Sequence, residues 1–203
     1  MIAFAASPAL PAVSLASVTF RIAKEGDGLA IAQLQDLANE KQLSQSTWAG
    51  KSAVWDTFGA RQIKSGATEM ALANTLVAKR GEIVVGMLNF VHSEGTVGDD
   101  PPDPISEPFI ALRQALGRCI YLRAMAVLPE ARGTGVATRM LDLAEDVANR
   151  ERLALGVIVH DTNAELIDHY QWRGYRRVLT APVREHATYP VGSTLIALRR
   201  GHH

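Results

Sequence analysis

One stretch constrains the fold more than any other: Tyr121 to Leu143, YLRAMAVLPEARGTGVATRMLDL, reads as an apolar strand, a turn of small residues and the start of an amphipathic helix. A strand is predicted over Ile120 to Val127, and Pro129, which has no ladder donor to offer, closes it. Val136, Met140, Leu143, Ala144 and Val147 then recur at helical spacings, so they share one face. The helix is expected to begin within Arg132-Gly133-Thr134-Gly135-Val136-Ala137.

A helix start leaves backbone N–H groups without intrahelical acceptors and carries the positive end of the macrodipole. Gly133 and Gly135 have no Cβ, so a phosphate could come close to those amides, with Arg132 adding a charge-assisted contact. The same glycines equally serve a chain that only has to turn tightly into a helix. A dinucleotide fingerprint fits poorly, because position 138 is Thr where a third Gly is needed. A phosphate loop of the GxxxxGK type fails, since neither Lys-Ser nor Lys-Thr follows the last Gly.

Two motifs carry a resemblance. Arg132, Gly135 and Ala137 meet the pattern Gln/Arg-x-x-Gly-x-Gly/Ala, behind Met125-Ala126-Val127 and Pro129. Further on, NAELIDHYQWRGYRRV sets Asn163, then Tyr170, then the pair Gly174-Tyr175. In this order they resemble the acetyl-CoA motif and second signature of the GNAT-type N-acetyltransferase superfamily, over about Thr75 to Leu198.

The resemblance implies a mixed α/β, α+β-like fold with a central twisted mixed sheet of about six to seven strands flanked by helices. It implies transfer of the acetyl group of acetyl-CoA to a primary amine by direct attack through a tetrahedral intermediate. Arg132 and the amides of Gly133, Thr134, Gly135, Val136, Ala137 and Thr138 would hold the pyrophosphate. The backbone of Met125, Ala126 and Val127 would pair with the pantetheine arm in a gap between the central strand and the next parallel one. A backbone N–H near Val127 would polarise the thioester carbonyl. Tyr170 would bind near the sulfur and protonate it, a phenol being roughly matched to a thiolate; its plain alternative is a tyrosine packed on a helix face. Asn163 would contact the arm or hold the turn from strand to helix. A CoA-binding module without turnover is the alternative function, and a nucleotide-dependent oxidoreductase is disfavoured by the missing Gly.

The base is open. His92, His160 and Asp161 are candidates, each histidine also reading as a hydrogen-bonded or solvated side chain, while Arg123 cannot accept a proton. Many relatives use a water chain or no dedicated base. The acceptor, a small amine or a protein amine, is not inherited from the resemblance. No metal is expected, and dimers are common in the superfamily.

With 203 residues the chain is read as one domain over 17–200, preceded by a tail or edge segment at 1–16 and followed by a tag remnant at 201–203. Lys and Arg number 21, as do Asp and Glu, so neither nucleic acid nor an anionic membrane is called for. The single cysteine, Cys119, excludes an intrachain disulfide and fits a cytoplasmic location; it reads as a core residue.

In chain order, a strand is expected over Val18 to Ile22 and a helix over Leu29 to Ala38, with a second helix over 47–63. Thr75 to Lys79 and Glu82 to Val91 form a hairpin turning at Arg80-Gly81, with Gly86 marking a bulge or close backbone approach. The Pro-rich acidic insert at 93–112 is read as a solvated loop, or as a lure for a cationic amine. Ala154 to His160 is a buried strand, Thr162-x-x-Glu165 a capping box, and Tyr175 to Leu179 and Thr194 to Leu198 the last strands, with Pro182, Pro190 and Gly192 in the loop between.

Overall fold

The computed structural model describes residues 15–38, 72–96, 107–183 and 192–201. The helix expected over 47–63, most of the N-terminal segment and Pro190 lie outside them. The strands are β1 (Val18–Ile22), β2 (Thr75–Arg80), β3 (Ile83–Ser93), β4 (Cys119–Val127), β5 (Ala154–His160), β6 (Arg176–Pro182) and β7 (Thr194–Arg200). The helices are α1 (Gly28–Ala38), α2 (Glu107–Leu116), α3 (Val136–Glu151) and α4 (Ala164–Trp172).

The strands make one mixed sheet of seven in the order β1-β2-β3-β4-β5-β7-β6, as expected of a mixed α/β fold. Among its ladders β4 and β5 are the parallel pair, and the others run antiparallel. Leu141, Ala144 and Ala148 of α3 and Ile167 and Tyr170 of α4 pack with Ile120, Leu122 and Val127 on one face. The other face carries α1, through Ile31 and Leu34 against Ala126, and α2, through Leu112 and Leu116 against Cys119 and Tyr121. Cys119 is fully buried, a core residue as predicted.

Several expectations shift. Arg80 stays in the ladder opposite Ile83, so the hairpin turn is Gly81-Glu82, with Gly81 at φ 56° where a side chain would be strained. Val85 is the bulged residue beside Gly86, and the close approach is real: a Cβ on Gly86 would stand 3.2 Å from Met140 Cε and 3.3 Å from Val136 Cγ1.

Residues 107–112 are not loop but the first turns of α2. Pro108 sits in the first turn, where a missing N–H costs nothing, and Leu112 and Leu116, one turn apart, are buried. The Asp residues of the insert lie outside the described residues. Pro182 ends edge strand β6 rather than lying in a loop, a position without need of its donor. On α3 the buried face is Val136, Met140, Leu141, Ala144 and Ala148, with Leu143 and Val147 half-buried at its margin. Among the described residues no helix is long and apolar enough to cross a membrane.

Candidate active site

The site is made by one irregularity in β4. Phe90 pairs with Leu122 and Asn89 with Ala124, so Arg123 is an extra residue in the central strand. The parallel ladder with β5 stops at the same place, its last pair being Leu122 with Val157. Both strands run on, β4 to Val127 and β5 to His160, and between them a cleft opens. A cavity of about 320 Å³ there is lined by Tyr121, Arg123, Met125, His160, Asn163 and Tyr170 among others. A second, of about 580 Å³, continues past Met125, Ala126 and Val127 to Arg132 and Ala137. The two share Ala38, Met125, Asn163 and Leu166 as walls.

Beyond Val127 the chain makes a short helical turn over Pro129–Ala131 and enters the glycine segment. The helix does not begin at Arg132. Arg132 is extended, Gly133 and Gly135 have φ of 72° and 86°, and α3 starts at Val136 with Gly135 as its cap. Two left-handed glycines explain the delay, since neither conformation belongs to a helix. Arg139 N–H reaches Gly135 O at 2.9 Å, so by helix geometry the amides of Val136, Ala137 and Thr138 have no intrahelical acceptor. A Cβ on Gly133 would meet nothing within 4 Å, and one on Gly135 only Leu15 Cδ2 at 3.8 Å. Among the described residues nothing crowds this turn, which fits a pyrophosphate.

Arg132 is exposed, and its Nε donates to Val127 O at 3.2 Å, tying the strand end to the turn. Thr134 Oγ1 donates to Ala131 O at 2.6 Å and holds the turn from within. Of the residues expected to hold a cofactor, Met125, Ala126, Val127, Arg132 and Ala137 line the second cavity, and Gly133 to Gly135 carry the chain from there into α3.

Across the cleft, α4 is capped by Asn163, whose Oδ1 accepts the Leu166 N–H at 3.3 Å. Thr162, the expected cap, is engaged instead by His160 Nδ1 at 3.1 Å. Asn163 therefore holds the turn from β5 into α4 while lining both cavities. Tyr170, seven residues on, is buried on the inner face of α4 and lines the first cavity. Burial pushes its phenol well above the ordinary value, the positive Arg173 pulling the other way. The side chain is thus protonated across the physiological range.

The candidate bases separate. His160 stands at the mouth of the gap. Asp161 is held below the usual carboxylate range first by the Thr194 backbone N–H and is not among the cavity walls. His92 is out of the site: it pairs with Ile120 at the far end of β4, and its Nε2 lies 2.6 Å from Glu151 Oε2 at the end of α3.

A sequence profile of the acetyltransferase (GNAT) family matches residues 40–175. The chain belongs to the GNAT acetyltransferase family. Among solved structures, an N-acetyltransferase from Staphylococcus aureus Mu50 superposes with a TM-score of 0.67 at 14% identity, covering 90% of this chain and 100% of that one. An apo agmatine N-acetyltransferase variant gives 0.64 at 12%, covering 91% and 99%. A histone acetyltransferase and related acetyltransferase from Corynebacterium glutamicum gives 0.62 at 19%, covering 92% and 97%. At such identities these likenesses show the fold of this GNAT chain. No curated protein sequence matches it.

The structure of this GNAT family member lines the first cavity with residues to which the motifs gave no role: Arg123, weighed in the sequence only as a group that cannot accept a proton, Tyr121, and Phe109 of α2. A charged residue in the middle of the apolar letters IYLRAMAV was the one available signal.

Proposed function

We propose that this GNAT family member is an N-acetyltransferase that takes the acetyl group of acetyl-CoA to a primary amine. The observation that carries the reading is the parting of β4 from β5 after Leu122 and Val157, with a cavity that continues past Met125, Ala126 and Val127 to Arg132 and Ala137. Acetyl-CoA supplies the activated thioester carbonyl and a thiolate leaving group.

The chain's own residues do the rest. Amides of the turn from Gly133 to Thr138, with Arg132, hold the pyrophosphate. The edge of β4 from Met125 to Val127, no longer laddered to β5, accepts the arm as an added strand and presents N–H groups to the carbonyl. Asn163 keeps α4 at the cleft wall. Tyr170, protonated and enclosed, donates to the sulfur as charge develops there. In this reading His160, a wall of the first cavity, takes the proton of the incoming amine. Residues 17–200 form one catalytic domain in this reading, and a single buried cysteine with balanced charge fits a cytoplasmic enzyme.

The test is calorimetric titration with acetyl-CoA and with CoA, comparing wild type with Gly135→Asn and Gly135→Asp. Both replacements tolerate a left-handed φ and differ by one carboxylate. Binding weakened about tenfold more by Asp than by Asn places an anion at this turn. No binding in wild type removes the reading, and binding without thiol release on any amine identifies a CoA-holding module instead.

A further inference from the structure

We propose that Arg173 is a positioning residue for the transfer step: its buried guanidinium, one helical turn on from Tyr170, favours the negative charge that grows on the phenol oxygen as the thiolate departs. The inference rests on the donor role given to Tyr170 in the acetyl-transfer reading and adds the residue that supports that role.

Arg173 follows Tyr170 by three residues and caps α4, so the two are neighbours at its C-terminal end. Two carboxylates of α3 fix its side chain. Nε donates to Glu145 Oε1 at 2.9 Å, and Nη2 reaches Glu145 Oε2 at 2.9 Å and Asp142 Oδ1 at 2.5 Å. Such a fork leaves the guanidinium a single geometry. Tyr170 and Tyr175 are both buried and meet edge to face, so the ring that lines the cavity is backed by a second ring. The Tyr175 hydroxyl is buried too, without a hydrogen-bond partner among the described residues. Charges set among such groups are little screened.

The cluster is not electrically neutral toward these rings. Arg200 shares Glu145 with Arg173, and these three side chains are 18%, 12% and 8% exposed, whereas Asp142 is 41% exposed. Solvent damps the Asp142 charge, which leaves two buried cations against one buried carboxylate. Burial raises the Tyr170 phenol, and the Arg173 charge is what pulls against it. As the amine nitrogen bonds to the acetyl carbon and the C–S bond breaks, the Tyr170 O–H is drawn to the sulfur and negative charge gathers on its oxygen. The proton given up by the amine restores the phenol through solvent. A tie between α3 and α4 alone would require the contacts of Arg173 but not its charge.

The experiment confirms acetyl-CoA binding by calorimetry and then follows thiol release with putrescine, lysine, phenylalanine and an amidated peptide headed by Ala. The best of these amines serves for Arg173→Gln, Arg173→Lys, Asp142→Asn and the double variant Arg173→Gln/Asp142→Asn, each with and without Tyr170→Phe, with Tm recorded throughout. We expect Arg173→Gln to lower kcat about tenfold with KM for acetyl-CoA within about twofold. Arg173→Lys loses the fork but keeps the charge, so its kcat stays within about threefold of wild type although its Tm falls. Asp142→Asn keeps kcat at or above wild type. Beside Tyr170→Phe all these differences shrink to within about twofold, because the group on which the charge acts is gone. The double variant leaves Glu145 paired with Arg200 and carries the comparison should Arg173→Gln not fold. Arg173→Lys as slow as Arg173→Gln, a matching fall for Asp142→Asn, or a loss that persists in full beside Tyr170→Phe overturns the proposal and leaves Arg173 an anchor of α4, with acetyl transfer intact. Full turnover by Tyr170→Phe alone removes the donor role and the proposal with it, and failure of wild type to bind acetyl-CoA removes the parent reading.

Discussion

The Tyr175 backbone N–H donates to the Tyr170 carbonyl at 3.0 Å, and the rings of the same two residues meet edge to face with centroids 5.0 Å apart. Between them Gly174, at φ 89°, donates to Gln171 O at 2.9 Å. This is a Schellman closure of α4, complete with its hydrophobic contact. The letters that resemble a family signature, Tyr170 and Gly174-Tyr175, thus have a mechanical reason: the turn fixes the ring that faces the cleft.

Gly174→Ala should therefore cost about 1 kcal/mol, lowering Tm by about 2–4 °C, because Ala resists a positive φ. Tyr170→Phe removes only a hydroxyl and should lower kcat by about a hundredfold with Tm little changed. Thermal unfolding and thiol-release kinetics on both variants check the division; a Tyr170→Phe enzyme with full turnover would remove the donor role.

Arg173 is 8% exposed at its side chain and meets Glu145 at 2.9 Å and Asp142 at 2.5 Å, while Arg200 also pairs with Glu145. Burial alone would disfavour the Arg173 charge, but these carboxylates outweigh it and hold its pKa above the ordinary value. Glu145→Ala leaves two guanidinium groups facing a vacated carboxylate and should cost about 3 kcal/mol in urea unfolding. Asp142→Asn, at a half-exposed site, should cost less than about 1 kcal/mol.

Asp27 accepts both Arg21 nitrogens, at 2.6 and 3.0 Å, and the Lys24 N–H at 2.7 Å. The Arg21 hydrogen bond, against burial, holds its carboxyl below the ordinary 3.8. A depressed folded value means that the stabilisation is whole above about pH 4 and fades as pH falls below it. Asp27→Asn should cost about 1–3 kcal/mol at neutral pH and flatten that acid limb, as measured by urea unfolding at stepped pH.

Gly86 lies under the start of α3, with Met140 Cε and Val136 Cγ1 at 3.2 and 3.3 Å from where a Cβ would stand, and Ala126 O at 3.3 Å. Gly86→Ala should destabilise by about 1–3 kcal/mol. Because it displaces Val136, next to the Gly135 cap, it should also weaken acetyl-CoA binding in calorimetry, which a change confined to the core would leave alone.

Much of this architecture could be read from the letters. Strand periods placed β1, β4 and β5 within a residue, because their apolar runs are buried in the sheet, and the helical period found α3 but began it four residues early, at Arg132. The glycine segment was legible as a tight turn into a helix, since left-handed φ leaves few alternatives to Gly. What escaped detection depended on pairing. Whether Thr162 or Asn163 caps α4 is decided by His160 claiming the threonine hydroxyl. His92 was plausible until its strand register set it opposite Ile120, away from the gap. The helical character of 107–112 was masked by prolines that a first helical turn accommodates.

The bulge at Arg123 has one more consequence. With that residue set aside, Leu122, Ala124, Met125, Ala126 and Val127 alternate between the two faces of the sheet without a break, as their packing partners show. One extra residue therefore opens the cleft without disturbing the alternation on which the core depends. A chain shorter by this single position would keep every layer of its core in phase, and the two parallel strands would have no reason to part.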